Sequence, residues 1–345
     1  MGISQMKRRI LTTHSEKEWL DFLNHTNANP YNHPCYMASF ENDSKTAFLY
    51  IYENQFQQLG ITFMLSAIKD TPYFDAESVY GYPGIIFSSS CSQEFINKAL
   101  SDFKAYCAEN LIVAVLLKLN PFDSLDLLRK CIDVEEICPI VIDDCLHNDE
   151  PNLSKNILKN IQKARKKNVS IIKNNYTVDY PIFYKLYQET MDRLNADEFY
   201  KFDSVFFESM REMNTSLSMH SAYLNEECIA SILTIWGRDY GSIFLSCSNE
   251  EGRKLGANHL LRLEVMNHAR QKGVDYLNMG GGKSNSSLDS LFQYKLGFSS
   301  LTMSYSIGKI IVDAEKYKSL SAQWESRVDD IRLQNHKSKF LHYRF

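Results

Sequence analysis

The chain has 345 residues, 44% of them hydrophobic, and a formal net charge of −4. This length exceeds what one compact core usually holds, so two domains are expected, and the ordinary composition excludes a disordered chain. The acidic balance excludes a basic coat for bulk DNA binding, although it leaves room for a local basic groove. No apolar run approaches membrane-spanning length.

Eight cysteines bear on the compartment and on metals, and none of them forms a Cys-x-x-Cys pair. Several lie in apolar runs, which is typical of buried free thiols in a reducing compartment. No cysteine–histidine cluster has the spacing of zinc ligands, so no metal is expected. Segment 1–19 lacks the apolar core of a signal peptide, and we expect a cytoplasmic protein.

The first half of the chain predicts a hairpin, a strand, a helix and a further strand. The hairpin spans 47–68, where β-branched and aromatic residues flank the turn-forming Glu53-Asn54. A strand is predicted at 78–88 and another at 111–119. The helix between them is predicted from apolar residues at helical spacing, which are Phe95, Ile96, Ala99, Leu100, Phe103 and Cys107.

The second half predicts helices near 153–168, 182–194 and 205–213 and then repeats the same plan. A hairpin at 220–237 and a strand at 240–248 precede a helix that carries Leu261, Val265 and Ala269. Gly273 is expected to end this helix, because glycine adopts the left-handed conformation most easily. Strands at 274–279 and 301–313 follow, and then a helical tail.

One order of elements therefore occurs twice, which indicates duplication and an α/β fold with mixed sheets flanked by helices. The junction falls in segment 143–156, which is rich in Asp, Asn and Pro. We predict domains at 1–147 and 148–314, with a tail at 315–345 that packs back on the first domain.

The run Gly280-Gly281-Gly282 precedes Lys283-Ser284 and invites comparison with a phosphate loop. A Walker-type loop needs its opening glycine at position 277, which is Leu277. The dinucleotide pattern fails as well, because Asn285 stands where its last glycine belongs. The glycines are therefore predicted to form either an open floor for a ligand or a flexible turn.

The order of elements resembles that of GNAT acyltransferases. Four segments resemble the Fem family more specifically, namely "NIQKARKKNVSI", "FYKLYQETMDRLNADEFYKF", "GANHLLRLEVMNHARQKGVDYLNMGGG" and "LDSLFQYKLGF". Fem enzymes are tandem-GNAT aminoacyltransferases known for building peptidoglycan cross-bridges. The resemblance covers most of 150–312. Before that it depends on the layout and on "YGYPG" at Tyr80–Gly84. It implies two tandem GNAT-like (acyl-CoA N-acyltransferase-like) domains.

Two departures from the family bear on the donor. No sustained heptad run exists, so the chain resembles the members without a coiled-coil arm. The GNAT pyrophosphate loop, Arg/Gln-x-x-Gly-x-Gly/Ala, is matched by Arg253 and Gly256, but Asn258 fills its last small-residue position. A helix N-terminus can still hold an anion there. The implied donor is an aminoacyl-tRNA or an acyl-CoA, with no permanently bound cofactor.

Lys295 is the predicted catalytic residue. The resemblance places it in the family's Phe/Tyr-Lys-x-Gly-Phe motif, where the lysine stabilises the oxyanion formed when an amine attacks the acyl carbon. A fixed cation beside developing negative charge lowers the barrier. The alternative is a lysine stem lying along an apolar surface. Tyr294 is predicted to contact the acceptor or orient Lys295, or else to be a core aromatic. Asp289 is a base or, preferably, a helix cap.

Three further residues are substrate-binding candidates by resemblance. Asn160 and Lys163 lie on a helix with a cationic stripe and would bind a nucleotide diphosphate or a tRNA backbone. The alternative is a solvated helix face. Arg193 would face the acceptor and grip a phosphate or carboxylate. Its alternative is a surface salt bridge with Asp197.

We expect a monomeric Fem-like transferase that moves an aminoacyl or acyl group to an amine of a nucleotide- or lipid-linked cell-envelope precursor. One alternative is a CoA-dependent N-acetyltransferase that acts on an amino sugar in surface-polysaccharide synthesis. Another is a binding module without chemistry. The basic and aromatic segment 336–345 would contact a membrane surface peripherally or dock on the protein.

Overall fold

The computed structural model of the protein describes residues 6–123 and 125–345. The chain divides into two compact units. Unit 1 comprises the described residues up to Ile137 together with Tyr305–Phe345, and unit 2 comprises Cys138–Ser304. Within the described part of the chain, no helix combines the length and the apolar character needed to cross a membrane.

Unit 1 begins with strands and helices in alternation. They are β1 (Lys7–Thr12), α1 (Glu16–Asn24), α2 (Pro34–Ala38), β2 (Lys45–Glu53), β3 (Gln58–Ala67), β4 (Phe74–Glu77), β5 (Ile86–Phe87), α3 (Gln93–Glu109) and β6 (Ile112–Lys118). Strand β7 (Asp133–Asp144) then leads into unit 2.

Unit 2 contains the three predicted helices and the second set of strands. Its elements are α4 (Lys155–Lys166), β8 (Ser170–Asn174), α5 (Tyr176–Arg193), α6 (Ser204–Ser209), β9 (Leu217–Leu224), β10 (Glu227–Trp236), β11 (Tyr240–Ser248), α7 (Glu250–Leu255), α8 (Ala257–Lys272), β12 (Tyr276–Gly280) and α9 (Ser290–Leu296). The chain then forms β13 (Thr302–Ile311), α10 (Ala314–Glu325) and α11 (Asp330–His336).

The two units have the same strand order and directions. In unit 1, β1, β2, β3 and β4 are antiparallel neighbours, β4 pairs with β6 in parallel, and β13 closes the sheet against β6 in the antiparallel sense. In unit 2, β8, β9, β10 and β11 repeat this, β11 pairs with β12 in parallel, and β7 closes the sheet. The predicted tandem α/β fold with mixed sheets and flanking helices is confirmed.

Each sheet is covered by helices that were predicted from apolar residues at helical spacing. Phe95 and Phe103 of α3 are buried with Ile61 of β3 in the core of unit 1. In unit 2, Ile157 and Ile161 of α4 are buried with the apolar face of α8. Helix α4 begins at a serine N-cap, because Ser154 Oγ accepts a hydrogen bond from the backbone N–H of Ile157.

Two local predictions are wrong. The strand predicted at 78–88 is short, since only Ile86–Phe87 is extended and paired. The positive φ angles of Gly81 and Gly84 interrupt the segment before it. Helix α5 begins at Tyr176 rather than near 182, because the Asn175 side chain caps it and Pro181 is tolerated inside. The helical tail consists of two helices, α10 and α11.

Candidate active site

The loop after β12 and helix α9 carry the residues singled out by the Fem-like motif. Asp289 caps α9, since its Oδ1 accepts hydrogen bonds from the backbone N–H groups of Leu291 and Phe292 at 2.9 and 3.1 Å. This confirms the preferred interpretation of Asp289 as a cap. The same carboxylate lies against Gly282, where a Cβ atom would come within 2.6 Å of it. Asp289 thereby fixes the start of α9, and with it the position of Lys295 in the last turn of the same helix.

Lys295 points back into the glycine run rather than into solvent. Its Nζ donates a hydrogen bond to the carbonyl oxygen of Gly281 at 2.7 Å. Gly280 has a φ of +77°, and a Cβ atom there would come within 3.1 Å of the same Nζ. Glycine is therefore required at 280 both for its backbone conformation and for the room it leaves to the amine.

The surroundings of Lys295 favour the neutral amine. Burial and then the positive charge of Arg262 lower the pKa of Lys295 to about 7, against smaller opposing effects of Asp289 and Cys138. These are the titratable groups that act on the amine from α8, from the loop before α9 and from β7. A lysine with this pKa exchanges its proton near neutral pH, as an acid–base catalyst does.

Arg262 is a functional candidate that the sequence interpretation missed. Its side chain is only 4% exposed, and its guanidinium lies over the rings of Tyr294 and Phe298 at 5.6 and 5.5 Å. Within the described residues, its Nε and Nη1 atoms are buried and have no hydrogen-bond partner. The sequence does indicate that Arg262 is buried, because it precedes Met266 by four residues and Ala269 by seven, which places it on the buried face of α8.

Other polar atoms around these cations are also enclosed without partners in the described part of the chain. They include Asn278 Nδ2 in β12 and the Tyr294 hydroxyl. Buried polar groups are normally hydrogen-bonded, so a group of unpaired ones indicates a place for a ligand or water. Tyr294 itself packs edge-on against His259 and Phe298, so it is also part of the aromatic wall of the site.

Strands β11 and β12 are paired over only part of their length. The parallel pairing covers Tyr240–Ser242 against Tyr276–Asn278, whereas β11 continues to Ser248. Beyond this point the edge of β11 that faces β12 has no strand partner in the described part of the chain. Asn278, Gly280 and the site of Lys295 lie at the end of β12, where the two strands stop pairing.

The predicted anion loop lies at the far end of β11. Gly256 ends α7 and begins α8 with a φ of +76°, and no side chain caps the first turn of α8. Asn258 donates a hydrogen bond from its Nδ2 to Ser248 Oγ at 2.9 Å, which ties the loop to the strand. The N-terminus of α8 therefore presents backbone N–H groups beside the unpaired edge of β11.

Asn160 and Lys163 contact the segment around this loop, although Lys163 is exposed. Lys163 Nζ donates a hydrogen bond to the backbone carbonyl of Lys254 at 2.5 Å. A Cβ atom on Gly256 would lie 3.0 Å from the backbone oxygen of Asn160, so helix α4 packs directly against the loop. Both residues are thus placed next to Arg253 and Gly256, through contacts within the protein.

Arg193 lies near Arg253. Desolvation by partial burial, and then the positive charge of Arg253, lower the pKa of Arg193. No ion pair with Asp197, the alternative partner, occurs, and neither arginine has a carboxylate partner among the described residues. Two neighbouring guanidinium groups without a carboxylate form an attractive position for a phosphate.

The structure thus gathers the predicted residues into two groups within unit 2. One group surrounds Lys295 and includes Tyr294, Gly280, Gly281 and Gly282. The other surrounds Gly256 and includes Arg253, Asn258, Asn160, Lys163 and Arg193. No cluster of three or more histidine, cysteine or acidic side chains that could hold a metal occurs in the part of the chain that the structure describes.

One segment of unit 2 is similar to a known domain family. Residues 153–296 match the sequence profile of the acetyltransferase (GNAT) domain. The Gly256 loop and Lys295 both lie inside the matched region. No curated protein matches the chain by sequence.

Solved structures show that the matched segment is part of a tandem fold. FemX covers 91% of this chain and 99% of its own, with a TM-score of 0.67 at 12% identity. L-PGS from Bacillus licheniformis covers 85% and 90%, with a TM-score of 0.59 at 10% identity. A C-terminal domain named as part of a lysylphosphatidylglycerol synthetase from Agrobacterium fabrum covers 86% and 92%, with a TM-score of 0.58 at 9% identity. The resemblance to the Fem-type fold is confirmed.

Proposed function

We propose that this protein transfers an acyl group from an acyl-CoA to an amine, with Lys295 as the catalytic residue. The observation that carries the proposal is the position of Lys295, whose amine lies at the end of β12 within 3.1 Å of the space above Gly280. That position is the floor of the region where β11 and β12 stop pairing. A substrate carbonyl placed there would meet the amine without displacing a side chain.

The donor site is proposed along the unpaired edge of β11. An extended chain with amide groups, such as the pantetheine arm of coenzyme A, can hydrogen-bond to a free strand edge as an added strand does. The pyrophosphate would lie at the N-terminus of α8, where the Gly256 loop supplies backbone N–H groups. Arg253 and Arg193, which have no carboxylate partner among the described residues, would bind its charge.

Lys295 is proposed to act twice. The neutral amine first accepts a proton from the ammonium group of the acceptor, which leaves a free amine to attack the thioester carbonyl. The resulting Lys295 ammonium then stabilises the oxyanion of the tetrahedral intermediate. Collapse of the intermediate breaks the carbon–sulfur bond. The thiolate leaves with the electron pair, and the second nitrogen proton goes to the thiolate or to water.

The acceptor is proposed to be an amine on a nucleotide- or lipid-linked cell-envelope precursor. Support comes from the folds that this chain resembles, since FemX shares the tandem arrangement and one similar domain is named for lysylphosphatidylglycerol synthesis. The site favours an anionic acceptor or donor, because the positive charge of Arg262 lies close enough to Lys295 to lower the pKa of its amine. An aminoacyl group would fit the same chemistry.

Calorimetric titration of the purified full chain with coenzyme A tests the donor. We expect one-to-one binding, and about 10-fold weaker binding in Arg253→Ala, because a charge-assisted contact to phosphate is lost. Lys159→Ala, an exposed substitution on α4, is the matched control and should leave the affinity unchanged. Absence of heat from coenzyme A and acetyl-CoA would reject the acyl-CoA donor, and an aminoacyl-tRNA would then be titrated in its place.

A further inference from the structure

The guanidinium of Arg262 is a buried charge that nothing in the described protein neutralises. Its side chain is 4% exposed, and no ion pair or hydrogen bond from it occurs among the described residues. An arginine stays charged at any accessible pH, so it cannot escape this cost by losing its proton. A buried charge without a partner is expensive, and a protein keeps one where a ligand supplies the opposite charge.

The groups nearest to Arg262 are aromatic or cationic. Tyr294 and Phe298 lie under the guanidinium, and their ring faces compensate only part of its charge. His259 lies beside them, and burial lowers the pKa of His259, with Arg262 acting in the same direction. Lys295 is the next cation. Asp289 is the acidic group that acts on Lys295, and its carboxylate accepts hydrogen bonds from the backbone N–H groups at the start of α9. The pocket therefore concentrates positive potential around Arg262.

The three guanidinium nitrogens are not enclosed to the same degree. Nε and Nη1 are fully enclosed without partners, whereas Nη2 is not among the fully enclosed atoms. Nη2 is therefore the nitrogen through which a ligand would meet the guanidinium. Asn278 Nδ2 and the Tyr294 hydroxyl are hydrogen-bond donors that are also buried and unpartnered within the described residues.

We propose that Arg262 binds a carboxylate carried by one of the two substrates of the transfer reaction. This inference rests on the proposed function and names a substrate class for that site. A carboxylate fits better than a phosphate, because Arg262 lies more than one turn into α8, beyond the Gly256 loop that is placed for the pyrophosphate. Its position beside Lys295 puts the carboxylate near the reacting atoms.

Two substrates could bring the carboxylate. The acceptor could be an amino acid or peptide whose own carboxylate is held while its amine reacts. The donor could be a dicarboxylic acyl-CoA, whose free carboxylate is held while its thioester reacts. In either case Arg262 positions a substrate, and the chemical step at Lys295 is unchanged.

The experiment begins with small probes that test for a carboxylate site whichever substrate carries the carboxylate. Thermal unfolding of the full chain is measured with acetate and with acetamide, its neutral counterpart. We expect acetate alone to raise the melting temperature of the wild type. We expect this shift to vanish in Arg262→Met and to persist in Lys272→Met, a control on the exposed part of the same helix.

Stability separates a binding role from a structural one. Without ligand, Arg262→Met should melt about 2–4 °C higher than the wild type, because it removes an uncompensated buried charge and keeps the apolar volume. A lower melting temperature of Arg262→Met, or equal shifts with acetate and acetamide in the wild type, would overturn the proposal. The comparison of acetate with acetamide uses the wild type alone, so it does not depend on the folding of a variant.

Two further arms distinguish the sources. Glycylglycine is titrated against glycylglycinamide for the acceptor, and succinyl-CoA against butyryl-CoA for the donor. A preference of about 10-fold or more for the acid in one arm, lost in Arg262→Met, assigns the carboxylate to that substrate. No preference in either arm contradicts the inference. Coenzyme A binding should be unchanged in Arg262→Met. If coenzyme A binds to neither protein while the acetate difference remains, the proposed donor is wrong and the carboxylate site stands.

Discussion

Two buried arginines, one in each unit, have opposite surroundings. In unit 1, Arg344 forms ion pairs with Asp75, which is fully buried, and with Glu77. In unit 2, Arg262 is more deeply enclosed, at 4% exposure against 18% for the Arg344 side chain, and has no acidic partner among the described residues. The same unit does pair another arginine, since Arg270 Nη1 lies 2.6 Å from the carboxylate of Asp143. The lack of a partner at Arg262 is therefore a local property.

The presence or absence of an acidic partner distinguishes arginines that stabilise the fold from arginines that are available to bind a ligand. A paired buried arginine contributes nothing to binding, and its loss leaves an uncompensated carboxylate that destabilises the protein. An unpaired buried cation costs stability and is useful only for what it binds. Substitutions of the two kinds should therefore have opposite effects on folding and on activity.

The largest expected effect concerns turnover. Lys295→Met should lower kcat/KM for release of coenzyme A from acetyl-CoA by about 100- to 10,000-fold, because it removes both the base and the cation. Lys295→Arg should restore little, since an arginine cannot accept the proton. The control is Lys309→Met in unit 1, where the lysine is paired with Glu135. Wild-type turnover in Lys295→Met would remove the catalytic assignment.

The second effect concerns stability. Asp75→Ala should lower the free energy of unfolding by about 3–5 kcal/mol, because it leaves Arg344 with a single acidic neighbour in a buried position. Asp239→Ala, which breaks the exposed pair with Arg238, should change it by less than about 1 kcal/mol. Urea unfolding of the three proteins measures both values. Equal losses would show that burial does not distinguish these pairs.

The smallest change per unit of the measured variable is the pH dependence caused by Lys295. Its pKa is about 7 in the folded protein against an ordinary value of 10.5, so between these values the unfolded chain binds more protons. Stability should therefore rise with pH in this range, by about 1.4 kcal/mol per pH unit from this group. Lys295→Met should lack that increment when its unfolding is compared with the wild type. Parallel curves for the two proteins would mean that the lysine has an ordinary pKa.

The overall fold could be predicted from the sequence because each element is locally consistent. The hairpin turn at Glu53-Asn54 falls between β2 and β3, and the apolar spacing of α3 and α8 matches their buried faces. Elements specified by caps or by strand pairing were harder to predict. The early start of α5 depends on Asn175, and the interruption before β5 depends on the backbone angles of Gly81 and Gly84.

The site was predictable only in part. The motif around Lys295 identified the lysine, but its hydrogen bond to Gly281 and its low pKa depend on long-range packing. Arg262 belongs to an apolar repeat in the sequence, where a charged residue is easily assigned to the surface. Its importance becomes visible only when the absence of partners among the described residues can be checked. Roles of Asn160 and Arg193 in binding stay predictions.

The support of the Gly256 loop by helix α4 has a thermodynamic consequence. Lys163 holds the end of α7, and the backbone of Asn160 fills the space behind Gly256, so the loop is already in one conformation before any ligand arrives. The loop therefore loses its conformational entropy when the protein folds, and ligand binding does not carry this cost again. Affinity at this loop should then vary mainly with its charges, and little with the length or composition of the segments around it.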